Sequence, residues 1–160
     1  MPLRPIVITF DDGYRDVFQN ALPVMERYGF TGTVYLFSNA IGAGGYMNAN
    51  QVKELLAKGW ELGSHSKTHA NLRKAGANLE EEIVNSRLAL ETMFSTPVLT
   101  FAYPYGAATP ALPRLVRESG YSAGVGVGTS RRHTLKSRYY LSRLEVQGDY
   151  DLVKFASLLR

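Results

Sequence analysis

The 160-residue chain has no cysteine, one tryptophan and three histidines. The missing cysteine excludes a disulfide framework, a thiol nucleophile and any thiolate metal ligand. No apolar run approaches the roughly 18 residues that a bilayer span needs. The opening segment through Gly13 lacks the apolar stretch and small-residue cleavage site of a secretory signal. A chain working at the cell envelope or outside the cell, the expected location, would then be a mature or excised form, and a cytoplasmic one stays open. Charge of one sign is also scarce: 18 basic against 14 acidic side chains leave a net +4. The excess gathers in Arg131, Arg132, Lys136, Arg138 and Arg143 with no acid among them, which reads as a solvated loop or as a contact surface for an anionic polymer. Signatures of DNA- and RNA-binding modules are absent, so no nucleic-acid partner is expected. What is present is 45% apolar side chains, enough for one compact domain over residues 1–160.

Apolar, β-branched runs alternate with helical patterns. Strands are expected at Pro5–Phe10, buried on both faces, and at Thr31–Phe37, Trp60–Ser64, Val98–Tyr103, Tyr121–Val127 and Tyr140–Val146. Pro23 marks a helix start or restart, and Gly29 closes that helix. Asn48 with Gln51 resembles a capping box, opening a helix that Gly59 closes. Asn78 with Glu81 opens another, stopped by Pro97. Thr109–Pro110 predicts a cap followed by the first helical residue, and Asp149 a cap for a helix reaching the chain end. This alternation means parallel strands with crossover helices, in an open doubly wound sheet or a barrel. The glycines of Gly42–Gly45 read as turn residues.

Chemistry-bearing residues fall just after strands, where parallel α/β folds gather their sites. Asp11 and Asp12 follow the first strand ahead of Gly13. By themselves they are a turn signal; at a strand end both carboxylates can reach one pocket. His65 and His69 follow the third strand, and in a helical segment this spacing puts both imidazoles on one face. Two His and one Asp make a three-ligand site with open positions, suited to catalytic zinc or non-haem iron. Phe101-Ala102-Tyr103-Pro104-Tyr105-Gly106 follows the fourth strand. It is an aromatic–proline turn that could offer backbone N–H groups to an oxyanion while its rings wall a sugar-sized groove.

Taken together, Thr9-Phe10-Asp11-Asp12-Gly13, His65-Ser66-Lys67-Thr68-His69 and Phe101 to Gly106 resemble the motifs of the polysaccharide deacetylases of carbohydrate esterase family 4, the NodB homology domain. The third motif is similar to that of members acting on poly-N-acetylglucosamine. The resemblance implies a distorted, incomplete (β/α) barrel with about six or seven parallel strands. It implies that Asp12, His65 and His69 hold a divalent metal, most often Zn2+, and that Asp11 is the general base toward a metal-activated water. The backbone N–H of Tyr105 would receive the oxyanion, and Ser66 would support the ligand loop. The implied reaction is removal of N-acetyl groups from an amino-sugar polymer or oligosaccharide of the poly-N-acetylglucosamine, chitin or peptidoglycan type.

The chain departs from the family pattern in three places. Ala102 stands where an arginine usually orients the base, and Arg143 is the candidate replacement. The Asp-Trp motif is absent, with Thr129 and Ser130 in its place. The motif carrying the general-acid histidine is also absent, leaving His133 as the remaining histidine for that role. The competing readings are a deacylase of O-acetylated xylan or of a small amide, and a glycan- or metal-binding module without a proton donor.

Overall fold

A computed structural model describes residues 5–74 and 78–159. Five parallel strands form one sheet in the order β1 (Thr9–Phe10), β2 (Thr33–Leu36), β3 (Glu61–Ser64), β4 (Thr100–Ala102), β5 (Ala123–Val125). Each strand pairs with the next in sequence. A doubly wound sheet reverses its strand order at a switch point, whereas a (β/α) barrel advances monotonically. This sheet advances monotonically. Laid flat, five strands at about 4.8 Å spacing would hold β1 some 19 Å from β5. Yet the Arg143 guanidinium donates both to Thr9 Oγ1 at 2.9 Å and to the Gly126 carbonyl at 3.1 Å. The sheet therefore curls into an incomplete barrel.

The curl separates two apolar layers. Val34, Leu36, Leu62 and Phe101 pack outward on the helices in the main core. Tyr35, Ala102 and Val125 form a smaller inner cluster with Leu141. Gly63 of β3 has to be glycine, because a Cβ there would lie 2.3 Å from the Tyr35 ring. The helices are α1 (Leu22–Arg27), α2 (Ala49–Ala57), α3 (Ser86–Phe94), α4 (Leu112–Glu118) and α5 (Leu152–Leu158). Wider π-type turns, Val17–Ala21 and Glu80–Asn85, lead into α1 and α3. Pro23 lacks the N–H that would continue an upstream ladder, which fits a restart at Leu22. The Asn48–Gln51 capping box forms in both directions, and Asn78 Oδ1 accepts from the Glu81 N–H.

Several elements differ from expectation. Among the described residues the strand count is five, not six or seven. Residues 139–143 lie parallel to β5 through an isolated Val125–Leu141 bridge, with Gly126 and Gly128 donating to Leu141 and Arg143, but they form no regular strand. Pro5–Phe10 contracts to two residues, and Ile6 and Val7 are 65% and 76% exposed, because β1 has a strand partner on one side only. Helix α4 starts at Leu112 with Pro113 in its first turn, and Thr109 serves in the preceding turn through its carbonyl. Asp151, not Asp149, caps α5, accepting from the Lys154 N–H at 2.7 Å. Arg160, the expected end of that helix, lies outside the described residues.

Candidate active site

The end of β1 breaks into a tight three-residue turn. The Gly13 N–H donates to the Asp11 carbonyl at 2.8 Å, with Asp12 between them at φ 69°. This is a γ-turn of the rare, strained hand. In a continued strand the two carboxylates would face opposite sides. Here both approach His65: Asp11 Oδ2 lies 3.9 Å and Asp12 Oδ1 3.5 Å from its Nε2. A Cβ at Gly13 would lie 2.4 Å from Leu36, so the next residue, at φ 81°, must be glycine.

The His65–His69 segment is a loop, not the helix whose period would align the two rings. Ser66 and His69 both have positive φ, 71° and 61°. Buried Ser66 accepts the His69 N–H on its Oγ at 3.0 Å, closing the loop. The imidazole centroids end 4.9 Å apart. His65 is 2% exposed, and its Nδ1 sits 2.8 Å from the Ala102 carbonyl. Burial pushes its pKa down against the opposing pull of the Asp11 carboxylate. The neutral ring therefore donates from Nδ1 and turns the Nε2 lone pair to the site. His69 Nδ1 lies 3.1 Å from the Tyr105 hydroxyl, and its Nε2 3.2 Å from Asp12 Oδ1.

Asp12 Oδ1, His65 Nε2 and His69 Nε2 converge as a possible cation site, with all ligand atoms within 4.8 Å of one another. Asp12 Oδ1 is buried with no hydrogen-bond partner. A buried carboxylate oxygen without a partner is costly. The neighbouring His69 holds the Asp12 carboxyl below the usual carboxylate range, so it stays ionised. An anionic oxygen and two imidazoles, with no thiolate, fit a divalent ion with positions left open.

Arg143 stands opposite. Its Nη1 and Nη2 each donate to Asp11, to Oδ1 and Oδ2, both at 2.7 Å. The fork also holds Thr9 and the Gly126 carbonyl and lies over the Tyr35 ring at 5.3 Å. A bidentate pair fixes the carboxylate's plane as well as its charge. The small, fully buried Ala102 belongs to the inner cluster beside Tyr35. The guanidinium thus reaches Asp11 from the segment after β5 rather than from β4.

Tyr105 has φ 61°, and its ring is 66% exposed at the rim. Four of the five non-glycine positive-φ residues described, Asp12, Ser66, His69 and Tyr105, lie in these three segments. Strain of about 1–3 kcal/mol each persists only where surroundings enforce it, and it clusters at functional sites. His133 is exposed in its loop, and among the described residues its side chain makes no hydrogen bond or ion pair. The basic cluster is dispersed: Arg131 donates to the Leu158 carbonyl and Arg138 to Ser122, while Arg143 turns inward.

One site residue escapes sequence reasoning. Glu82, in the turn before α3, is buried and accepts the Lys67 and Thr68 N–H groups, each at 3.0 Å, and the Thr68 hydroxyl at 2.5 Å. It ties the loop between the two histidines to the helix. Its only sequence signal is a run of three glutamates, Glu80–Glu82, which reads as favourable charge at a helix start.

A curled parallel sheet carries, at its strand ends, a His–His–Asp cluster that could hold a cation and an arginine-clamped carboxylate, the place where (β/α) barrels gather their sites. The family model for polysaccharide deacetylase matches residues 1–124, and the chain belongs to that family. It is 28% identical over 142 residues to YxkH of Bacillus subtilis (strain 168), a member by name, covering 88% of this chain and 51% of that protein. It is 23% identical over 163 residues to poly-beta-1,6-N-acetyl-D-glucosamine N-deacetylase of Staphylococcus aureus (strain MRSA252), covering 92% and 56%. The crystal structure of BA0330 from Bacillus anthracis, described under the same family name, superposes with a TM-score of 0.89 at 26% identity. That match covers 99% of this chain and 52% of that one. The chain thus spans about half the length of the curated relatives it matches.

Proposed function

We propose that the chain hydrolyses N-acetyl groups on an amino-sugar polymer, of the poly-N-acetylglucosamine type or a related β-linked glycan, at the cell envelope or outside the cell. The observation that carries this reading is the pairing of two carboxylates in different states. Asp12 faces two imidazoles with an unpartnered oxygen, and Asp11 is clamped by Arg143. Neighbouring groups held in contrasting environments take different roles. The relative that acts, by its name, on poly-beta-1,6-N-acetyl-D-glucosamine supports the substrate class.

Asp12, His65 and His69 would hold a divalent ion, zinc by the family resemblance, which would supply Lewis acidity toward water and the acyl carbonyl. Asp11 removes the proton of the attacking water at a carboxylate oxygen, and Arg143 keeps that carboxylate in plane. The Tyr105 backbone N–H donates to the oxyanion that develops on the acetyl carbonyl. As the C–N bond breaks, the proton held at Asp11 returns to the departing amine nitrogen, and acetate is freed. His133 does not enter this scheme. The exposed Tyr105 ring beside the triad favours a polymer running past an open site over a small amide in a closed pocket. Residues 1–160 are read as one catalytic unit.

The test is acetate release from N-acetylglucosamine oligomers by protein stripped with a chelator and then reloaded with zinc. Release that vanishes on stripping and returns on reloading is expected. No release with zinc bound would point to another acyl group or to a non-catalytic glycan-binding module. No release and no zinc would end this reading.

A further inference from the structure

The glycine-rich stretch Gly42–Gly45 has no place in the chemistry above, yet it is built into the site's edge. Gly42 and Gly45 have φ 82° and 87°, a conformation that side chains disfavour. They fold the loop so that Tyr46 forms an antiparallel bridge with Tyr14, just after the Asp11–Asp12 turn. Three more contacts pin the two segments. The Arg15 N–H donates to the Gly45 carbonyl at 2.9 Å, the Met47 N–H to the Gly13 carbonyl at 3.0 Å, and Arg15 Nε to the Tyr46 carbonyl at 3.4 Å.

This device stacks two rings. Tyr14 and Tyr46 lie 5.0 Å apart and 16° from parallel. Tyr46 meets Phe37 edge-on at 5.2 Å, Phe37 meets His69 at 5.6 Å, and His69 meets Tyr105 at 4.5 Å. A continuous aromatic row therefore runs along the site with the metal-site imidazole inside it. Its two ends are open to solvent: Tyr105 is an exposed ring and Tyr14 is 46% exposed. Partners cover the inner members, so at the end away from Tyr105 the ring free to receive something flat and weakly apolar is Tyr14.

We infer that Tyr14, backed by Tyr46, is a sugar-stacking subsite for a residue of the substrate glycan next to the one being deacetylated. This rests on the deacetylase reading above. The axial C–H face of a β-linked pyranose matches an exposed aromatic face, and stacking recognises ring shape with little dependence on substituents. Such a subsite lets the enzyme favour long chains and accept neighbours with or without their acetyl groups.

The test compares wild type, Tyr14→Ala and Tyr14→Trp on β-1,6-linked N-acetylglucosamine oligomers of two to six sugars. Direct binding of the hexamer is measured by calorimetry on the same three proteins. The expected result is that Tyr14→Ala cuts the long-over-short kcat/KM ratio and the hexamer affinity by about tenfold, a difference typical of one stacking contact. Tyr14→Trp is expected to restore both, with zinc content and melting temperature unmoved. An unchanged length ratio in an active Tyr14→Ala enzyme would overturn the subsite and leave the deacetylase reading standing. An equal loss on all lengths with a lowered melting temperature would make the pair a structural staple and overturn it as well. If wild type binds the hexamer without turnover and Tyr14→Ala weakens that binding, the subsite stands and the reading falls. Neither binding nor turnover in wild type ends both.

Discussion

The three loops after β1, β3 and β4 differ sharply from the segment beyond β5. The loops are closed around buried polar atoms: Ser66 and His65 are inaccessible, Glu82 is sealed under the histidine loop, and four residues accept left-handed backbone. The later segment is mostly exposed, makes one bridge to the sheet, and ends in α5, which buries no side chain. Yet it delivers Arg143 to Asp11. A converging set of ligands needs rigid walls on every side, because small displacements destroy shared geometry. A guanidinium fork carries its own geometry and needs only one well-placed backbone position.

The largest effect should come from the rigid side. Asp12→Ala or His69→Ala is expected to lower zinc affinity by more than about 100-fold, since loss of a supporting partner alone costs 10–100-fold; zinc retained in both variants would dissolve the proposed ligand set. Arg143→Ala should leave zinc in place and cut kcat by about 10–100-fold. An unaltered kcat would reduce Arg143 to a strut closing the barrel.

Glu82 sharpens the contrast from within the rigid side. Burial works to raise its pKa, but the hydrogen bonds from the Thr68 hydroxyl and N–H, Ser66 and the Lys67 N–H hold it below the ordinary 4.5. A group depressed on folding adds stability above its unfolded value, and that stability is lost as pH falls through the folded value. Unfolding measured from pH 7 to 3 should therefore show a shallower acid-side loss in Glu82→Gln. That variant should also be about 1–3 kcal/mol less stable at neutral pH. The smallest effect belongs to α5: Leu152→Ala should change stability by less than about 0.5 kcal/mol, and a larger loss in chemical denaturation would mean that this helix is packed after all.

The same contrast explains what the sequence disclosed. Asp11, Asp12, His65 and His69 are legible as candidates because they stand just after the first and third strands, where parallel α/β folds gather their sites. The parallel alternation and the Asn48–Gln51 cap were legible because their signals are local. Tyr140–Val146 has strand-like composition, but among the described residues only 139–143 of this segment meet a strand neighbour. β1 is shorter than its apolar run for a related reason, since such a run does not reveal that its strand is at an edge. The histidine loop hid its geometry because helical spacing and a positive-φ turn bring imidazoles equally close. Glu82 hid in a triplet of acids of which burial selects one, and burial is a tertiary fact. Arg143 could be named as a candidate from the missing arginine at Ala102, but its fork depended on how far the sheet curls.

The most direct measurement is zinc content and acetate release, taken together, on Asp11→Asn. With Asp12 as ligand and Asp11 as base, the variant should keep full zinc occupancy and lose about 100- to 10,000-fold in rate, the span of general acid–base catalysis. Full activity with zinc bound would contradict the division of labour between the two adjacent carboxylates, and loss of zinc would show that Asp11 belongs to the metal site.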